Sequence, residues 1–270
     1  MPGVIPAPGA LPASRLDDLV GLVPAAGRAT RLGPLPGSKE VLPLAYRRAP
    51  GGGLKMETAL DRLLGSFATS GIRRSLVLLR QDKWDVPAWI GRGTDRGVEV
   101  AYRIVGDTAS SVETLDAARP FLGADDRAAL GFPDIVYHPP DTFARLAAAQ
   151  TSTGAAVVLG LFPCDAPERS DMVEVAPDGA VLGVRVKQPD AGLRWAWGQA
   201  VWDRRFTDLL SRTLREAGDH PGELYPGHVV QRALTEGLPV RAVAFEDGVF
   251  LDTGTPVGLR KAVAWLEGRA

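Results

Sequence analysis

Arg31 and Lys39 follow a short apolar run, Leu19 to Val23, that ends in the small residues Ala25, Ala26 and Gly27. Small residues after a strand let backbone N–H groups approach a ligand, and a concave row of amides attracts phosphate oxygens. The two side chains add full positive charges where a polyphosphate carries its negative ones. By composition alone, the same stretch also reads as a Gly/Pro-rich surface loop with two solvated cations. Five lysines stand against 26 arginines, so arginine is the expected occupant wherever either cation serves. Lys39 and Lys187 therefore stand out, since lysine offers a compact point charge where arginine offers a planar fork.

Two aspartates occupy positions of a second kind. Asp134 follows the apolar run Arg127 to Phe132, and Asp252 follows Val249 to Leu251 at the head of Asp252-Thr253-Gly254-Thr255-Pro256. In open parallel sheets ligands bind beyond the carboxyl ends of the strands. Taken singly, each aspartate also suits a turn or a helix cap. Trp195, Trp197 and Trp202 are either core or a stacking platform for a ring, with core the expectation for Trp202. His138, His220 and His228 have no metal-ligand spacing and read as surface or cap residues. Cys164 reads as a small structural residue.

Strands separated by helices must carry these groups. The spacing of Met56, Ala59, Leu60, Leu63, Leu64 and Phe67 predicts a helix over Lys55 to Ser70, closed by Gly71. Strands are predicted at Ile72 to Leu79, Val98 to Val105, Arg127 to Phe132 and Ala155 to Phe162. Ser110-Ser111-Val112-Glu113 predicts a capping box and a helix to about Phe121, and a further helix is predicted from Asp141 to Ser152. Met172 to Ala176 and Val181 to Lys187 flank Pro177-Asp178-Gly179, a hairpin signature. Trp195 to Trp202 is another strand, followed by two helices, Val240 to Phe245, Val249 to Leu251, and a last helix after Pro256. This alternation predicts an α/β fold with a Rossmann-like, mostly parallel mixed sheet flanked by helices.

The segment from Ala25 resembles the signature loop of the sugar nucleotidyltransferases, the family of glucose-1-phosphate thymidylyltransferase. That pattern reads A-G-G-x-G-T-R-L, then Pro, Ser-Lys or Pro-Lys, and Leu-Leu-Pro. Ala25 to Leu32, Pro34, Ser38-Lys39 and Val41-Leu42-Pro43 match it here. Two glycines of the pattern are alanines, Ala26 and Ala29, the second where the backbone calls for φ > 0 or close contact with the triphosphate. Asp252 to Pro256 matches the family's Asp-x-Gly-Thr-Pro, and Leu130-Gly131 with Asp134 resembles its Leu-Gly-Asp with Phe132 and Pro133 added. Val186-Lys187-Gln188-Pro189 stands where the family has Glu-Lys-Pro. The segment from Tyr102 to Ser111 lacks the family's glutamine and Pro-x-Gly.

The resemblance implies the nucleotide-diphospho-sugar transferase (GT-A-like) form of the α/β fold. It also implies Mg²⁺-dependent nucleotidyl transfer from an NTP, with a pyrimidine base expected, to a sugar 1-phosphate. The catalytic groups would be Arg31, Lys39 and Lys187. The nucleotide would lie on Ala25, Ala26, Gly27, Arg28, Ala29, Thr30 and Arg31, with Ser110 and Ser111. Lys187, Trp197 and Gly198 would hold the sugar phosphate, and Asp134 and Asp252 the Mg²⁺. The altered base and sugar segments also permit a cytidylyltransferase acting on a non-sugar phosphate or phosphonate. A non-catalytic sugar-nucleotide sensor that kept the fold is a further alternative, against which the joint presence of Arg31, Lys39, Asp134, Lys187 and Asp252 argues.

A chain of 270 residues can bury a full core, and residues 15–270 are expected to form a single domain after a flexible start at 1–14. That start is apolar but has four prolines and no basic segment, so no signal peptide is read. A net charge of −1 without a basic run argues against nucleic-acid binding. No apolar run is long enough to span a membrane, and the lone cysteine excludes an internal disulfide. A cytoplasmic enzyme is expected, with homo-oligomer formation implied by the resemblance.

Overall fold

A computed structural model describes residues 16–48, 51–189, 192–218 and 222–268. The expected flexible start 1–14 and His220 lie outside the described residues. In chain order the strands are β1 Leu19–Ala25, β2 Ala45–Arg48, β3 Leu54–Glu57, β4 Arg74–Arg80, β5 Glu99–Val105, β6 Arg127–Gly131, β7 Ile135–His138, β8 Val157–Pro163, β9 Asp171–Val175, β10 Val181–Val186, β11 Trp195–Trp202, β12 Val240–Ala244 and β13 Val249–Asp252. The helices are α1 Ala59–Thr69, α2 Asp85–Ile90, α3 Ser111–Asp116, α4 Thr142–Thr153, α5 Arg204–Ala217, α6 Pro226–Thr235 and α7 Pro256–Glu267.

Strands β5, β4, β1 and β6 run parallel and side by side. Antiparallel β11 then joins β6 to β8, and β12 pairs parallel with β8. The β9–β10 hairpin attaches to the start of β11 through Trp195 opposite Val173. The sheet is therefore mixed, parallel in its first half, as the alternation of elements predicts. No helix among the described residues is long and apolar enough to cross a membrane.

Side chains alternating along β1 feed two cores, as the two-residue period of a strand dictates. Val20 and Leu22 join α3, α5 and α6 through Val112, Leu115, Phe206 and Val229. Leu19 and Val23 join α1 and α4 through Leu60, Leu64, Phe67 and Phe143. Burial on both faces explains why β1 and β4 read as near-continuous apolar runs, whereas the edge strand β5 does not.

Some boundaries differ from expectation. The first helix begins at Ala59 rather than Lys55, because the Thr58 hydroxyl accepts from Asp61 N while Asp61 accepts from Thr58 N, a closed capping box. Residues 55–57 belong instead to β3, which pairs with β2. The helix from Ser111 stops at Asp116, and a separate 3-10 turn spans Arg119–Phe121, where Pro120 has no N–H to donate. The pairing of β7 with β13 has no counterpart in the expected elements.

Candidate active site

A cleft of about 1200 Å³ opens along the carboxyl ends of β1 and β6 and across to the β9–β10 hairpin. Ala26, Gly27, Arg28, Thr30 and Arg31 line it, whereas Ala25 is fully buried as the last residue of β1. Ala29 is absent from the lining and adopts φ 56, ψ 27, the left-handed conformation that glycine takes most readily. The expected backbone constraint therefore exists, and alanine bears it.

Lys39 opens a 3-10 turn whose position is fixed from both sides. Asp85, at the start of α2, accepts from Ser38 N at 2.6 Å and Ser38 Oγ at 2.7 Å. Next to Lys39, Glu40 is buried against Lys83, with Oε1 2.7 Å from Nζ. Burial pushes the Glu40 carboxyl up and the Lys83 amine down, each partly opposed by its partner's charge. Lys39 Nζ lies 2.5 Å from Asp134 Oδ2, with both side chains 13 % exposed. Burial disfavours the Lys39 charge, but Asp134 more than offsets it and the amine is held above its usual range.

The antiparallel β7–β13 pair brings the two aspartates together. Asp252 stands opposite Ile135, one residue beyond Asp134. Thr253 donates through both N and Oγ1 to the Asp134 carbonyl, at 2.8 and 2.7 Å. Asp252 Oδ1 accepts from Gly254 N at 2.8 Å, and Oδ2 faces Arg31 Nη1 at 3.2 Å. A Cβ at Gly254 would fall 2.8 Å from Asp252 Oδ1, 3.0 Å from Asp134 Oδ2 and 3.0 Å from Arg31 Nη2. Only a glycine lets these three groups crowd one point.

Two such carboxylates fit a magnesium ion. Among the described residues no group of three or more His, Cys, Asp or Glu forms a ligand set. An ion on Asp134 and Asp252 would complete its shell with water and phosphate oxygens, the coordination magnesium favours.

On the far wall, Lys187 ends the hairpin with φ 48, also left-handed, and its N–H donates to the Ser170 carbonyl. Its Nζ sits 3.1 Å from the centroid of the Tyr225 ring. Burial pulls the amine down against the opposing charges of Asp171 and Glu223. Asp171 begins β9 opposite Val186, and burial pushes its carboxyl up to about 6 despite Lys187 and the N–H of Gly227.

Trp197 lines the cleft, while Trp202 is core, its indole N–H donating to Thr207 Oγ1. Gly198 does not reach the cleft. The Phe250 ring covers it, with Cε2 2.1 Å from where a Cβ would stand, and its carbonyl accepts from Tyr137 Oη. Ser110 and Ser111 line the opposite wall. Ser110 Oγ caps Glu113 N, and Ser111 Oγ donates to the Leu224 carbonyl. His228 is a cap residue, its Nδ1 accepting from Tyr225 N.

The structure thus gathers Arg31, Lys39, Asp134, Asp252 and Lys187 into one cleft from four separate stretches of chain. Sequence reasoning missed Asp171, Glu223 and Tyr225. The hairpin signature carried part of the signal for Asp171: pairing outward from Asp178-Gly179 brings it beside the end of β10, and a bulge between Val181 and Gly183 then sets it opposite Val186.

No family model matches the sequence. Three solved structures resemble the chain. A Bacillus anthracis protein assigned as a glucose-1-phosphate thymidylyltransferase, in complex with a sucrose, superposes with a TM-score of 0.77 at 20% identity, covering 92% of this chain and 94% of that one. UTP-bound UGPase of Acinetobacter baumannii gives 0.71 at 17% identity, covering 92% of each chain. UDP-glucose pyrophosphorylase of Acinetobacter baumannii gives 0.69 at 17% identity, covering 90% and 91%. The fold is that of the sugar nucleotidyltransferases. The likeness runs nearly end to end in both partners, so the mixed sheet flanked by helices belongs to the shared fold.

Proposed function

We propose that the protein transfers a nucleotidyl group from an NTP to a sugar 1-phosphate and releases pyrophosphate. The observation that supports this reading is one cleft lined by three cations, Arg31, Lys39 and Lys187, together with the carboxylates of Asp134 and Asp252. Lys39 and Arg31 lie beside the loop amides of residues 26–30, and Lys187 lies across the cleft.

An oxygen of the acceptor phosphate attacks the α-phosphorus in line, and the bond to the pyrophosphate oxygen breaks. No covalent enzyme intermediate is required, so catalysis is positioning plus charge neutralisation. Lys187 aims the attacking phosphate. Arg31, Lys39 and the loop amides hold the β- and γ-phosphates and stabilise the charge on departing pyrophosphate. To do so, Lys39 turns from Asp134 and Arg31 from Asp252, which frees both carboxylates. Asp134 and Asp252 would then hold a magnesium ion, which supplies neutralisation of phosphate charge.

The base lies between the Ala26 backbone and the start of α3 at Ser110 and Ser111, where main-chain groups read its edge. Such readout separates pyrimidines from purines by donor and acceptor position, but a single methyl changes binding by only about 1–3 kcal/mol. dTTP and UTP are therefore used within about two orders of magnitude of each other, and purine triphosphates less well. The test is pyrophosphate release across a matrix of NTPs and sugar 1-phosphates with Mg²⁺. Release confined to no pair would refute the reaction, and highest kcat/KM with ATP or GTP would refute the base assignment.

A further inference from the structure

The two halves of the cleft are charged differently. In the nucleotide half Lys39 and Arg31 each face one carboxylate. In the acceptor half Asp171, Glu223 and Asp252 act on the Lys187 ammonium and Arg31 opposes them; with Arg31 and Asp252 paired to each other, Asp171 and Glu223 are left facing Lys187. A phosphate arriving at Lys187 adds negative charge beside both carboxylates and draws the ammonium away from them.

What Lys187 leaves behind is suited to a cation. The Tyr225 face, over which its Nζ now sits at 3.1 Å, attracts positive charge through the ring quadrupole. Asp171 is fixed in place, wedged against the first turn of α6 so that a Cβ at Gly227 would fall 2.3 Å from its Oδ2. The Trp197 indole N–H, in a side chain only 5 % exposed, faces the same carboxylate without closing a hydrogen bond of normal geometry. A carboxylate offers about four acceptor sites, so Asp171 keeps capacity on its cleft side. It also lies mostly out of water, where a neighbouring cation is worth most.

The geometry points to an acceptor that carries a protonated amine as well as its phosphate, the amine taking the place of Lys187 Nζ between Tyr225, Asp171 and Glu223. This rests on the nucleotidyl-transfer reading and narrows its acceptor. A hydroxyl would bond to Asp171 but leave the excess negative charge in place. A cation removes it.

The test is calorimetric titration at about pH 7, where a simple amine is protonated, with UTP present and divalent metal chelated. Glucosamine 1-phosphate should bind about tenfold or more tighter than glucose 1-phosphate. O-Phosphoethanolamine in the same cell shows whether the sugar ring is needed besides the amine. Asp171→Asn should shrink the ratio between the two sugars to about threefold or less, and Tyr225→Leu provides a second variant that alters the ring instead of the charge. Equal binding of the two sugars by the wild type, binding of neither, or a ratio that survives both substitutions overturns the amine site. Preferential binding of the amine with no pyrophosphate released from any NTP keeps the amine site and refutes the reaction. Pyrophosphate release with glucose 1-phosphate bound equally well does the reverse.

Discussion

Lys39 Nζ sits 2.5 Å from Asp134 Oδ2, so a lysine and an aspartate of the cleft neutralise each other's charge. Arg31 and Asp252 repeat the arrangement at 3.2 Å. The four groups carry no net charge together, and in the proposed reaction the NTP phosphates exchange partners with these two carboxylates.

Asp252→Asn should abolish turnover and leave the fold intact. The Asn oxygen can still accept from Gly254 N, and the lost ion pair with Arg31 is half exposed, a contact worth about 1 kcal/mol or less. Steady-state rates with Mg²⁺ alongside a thermal melt check this. Retention of more than about a tenth of the wild-type rate, roughly 1.4 kcal/mol of barrier, removes Asp252 from the metal site.

Lys39→Ala and Lys187→Ala should give different kinetic defects. The first should lower kcat/KM for the NTP by about a hundredfold, the order expected for losing one charged donor to a developing oxyanion. The second should chiefly raise the KM for the acceptor phosphate. Identical defects toward the NTP alone would place Lys187 on the wrong substrate.

Gly254→Ala should damage the site more than the fold. Its backbone is not in the left-handed region, so the cost is the methyl crowding Asp252 Oδ1, Asp134 Oδ2 and Arg31 Nη2. Activity is expected to fall about tenfold or more, with stability changed by about 1 kcal/mol. A loss of Tm in proportion to the loss of rate would mean that the glycine serves packing only.

Asp171→Asn should stabilise the protein at neutral pH. Burial lifts the carboxyl to about 6, above its unfolded value near 3.9. The folded chain therefore binds the proton more tightly, and the stability this gives at low pH is lost as pH rises toward 6. Above that the ionised group costs about 2–3 kcal/mol at 1.4 kcal/mol per pH unit. Calorimetric melts should show the variant's advantage at about pH 8 shrinking toward pH 4. An advantage that grows in acid would mean that the carboxylate is not desolvated.

The strand and helix alternation was legible because buried runs and capping residues are local signals. Trp195 to Trp202 is the clearest case, a strand with every residue buried. Lys39 and Asp252 were singled out through their loop motifs, and both line the cleft. Asp134 reaches the site despite the added Phe132 and Pro133, because β7 pairs with β13 and Thr253 ties down its carbonyl. Long-range pairing of that kind has no local signature. Gly198 illustrates the opposite failure: its position along β11 suggested the cleft, but only the tertiary placement of Phe250 shows which way it faces. Glu223 and Tyr225 were missed because no motif marks a loop that matters only through the side chain it meets.

Strand β11 pairs with β6, β8 and β9 along its length and exposes almost none of its eight residues. It joins β6 to the β9–β10 hairpin as one buried crossbar, its pairing with β8 shifting register between Trp197 and Gln199. Natural drift or laboratory redesign toward another acceptor would therefore have little success along the floor. The adjustable parts are the rims, residues 164–170 and 222–226, where a substitution alters what the cleft admits without disturbing what it is built on.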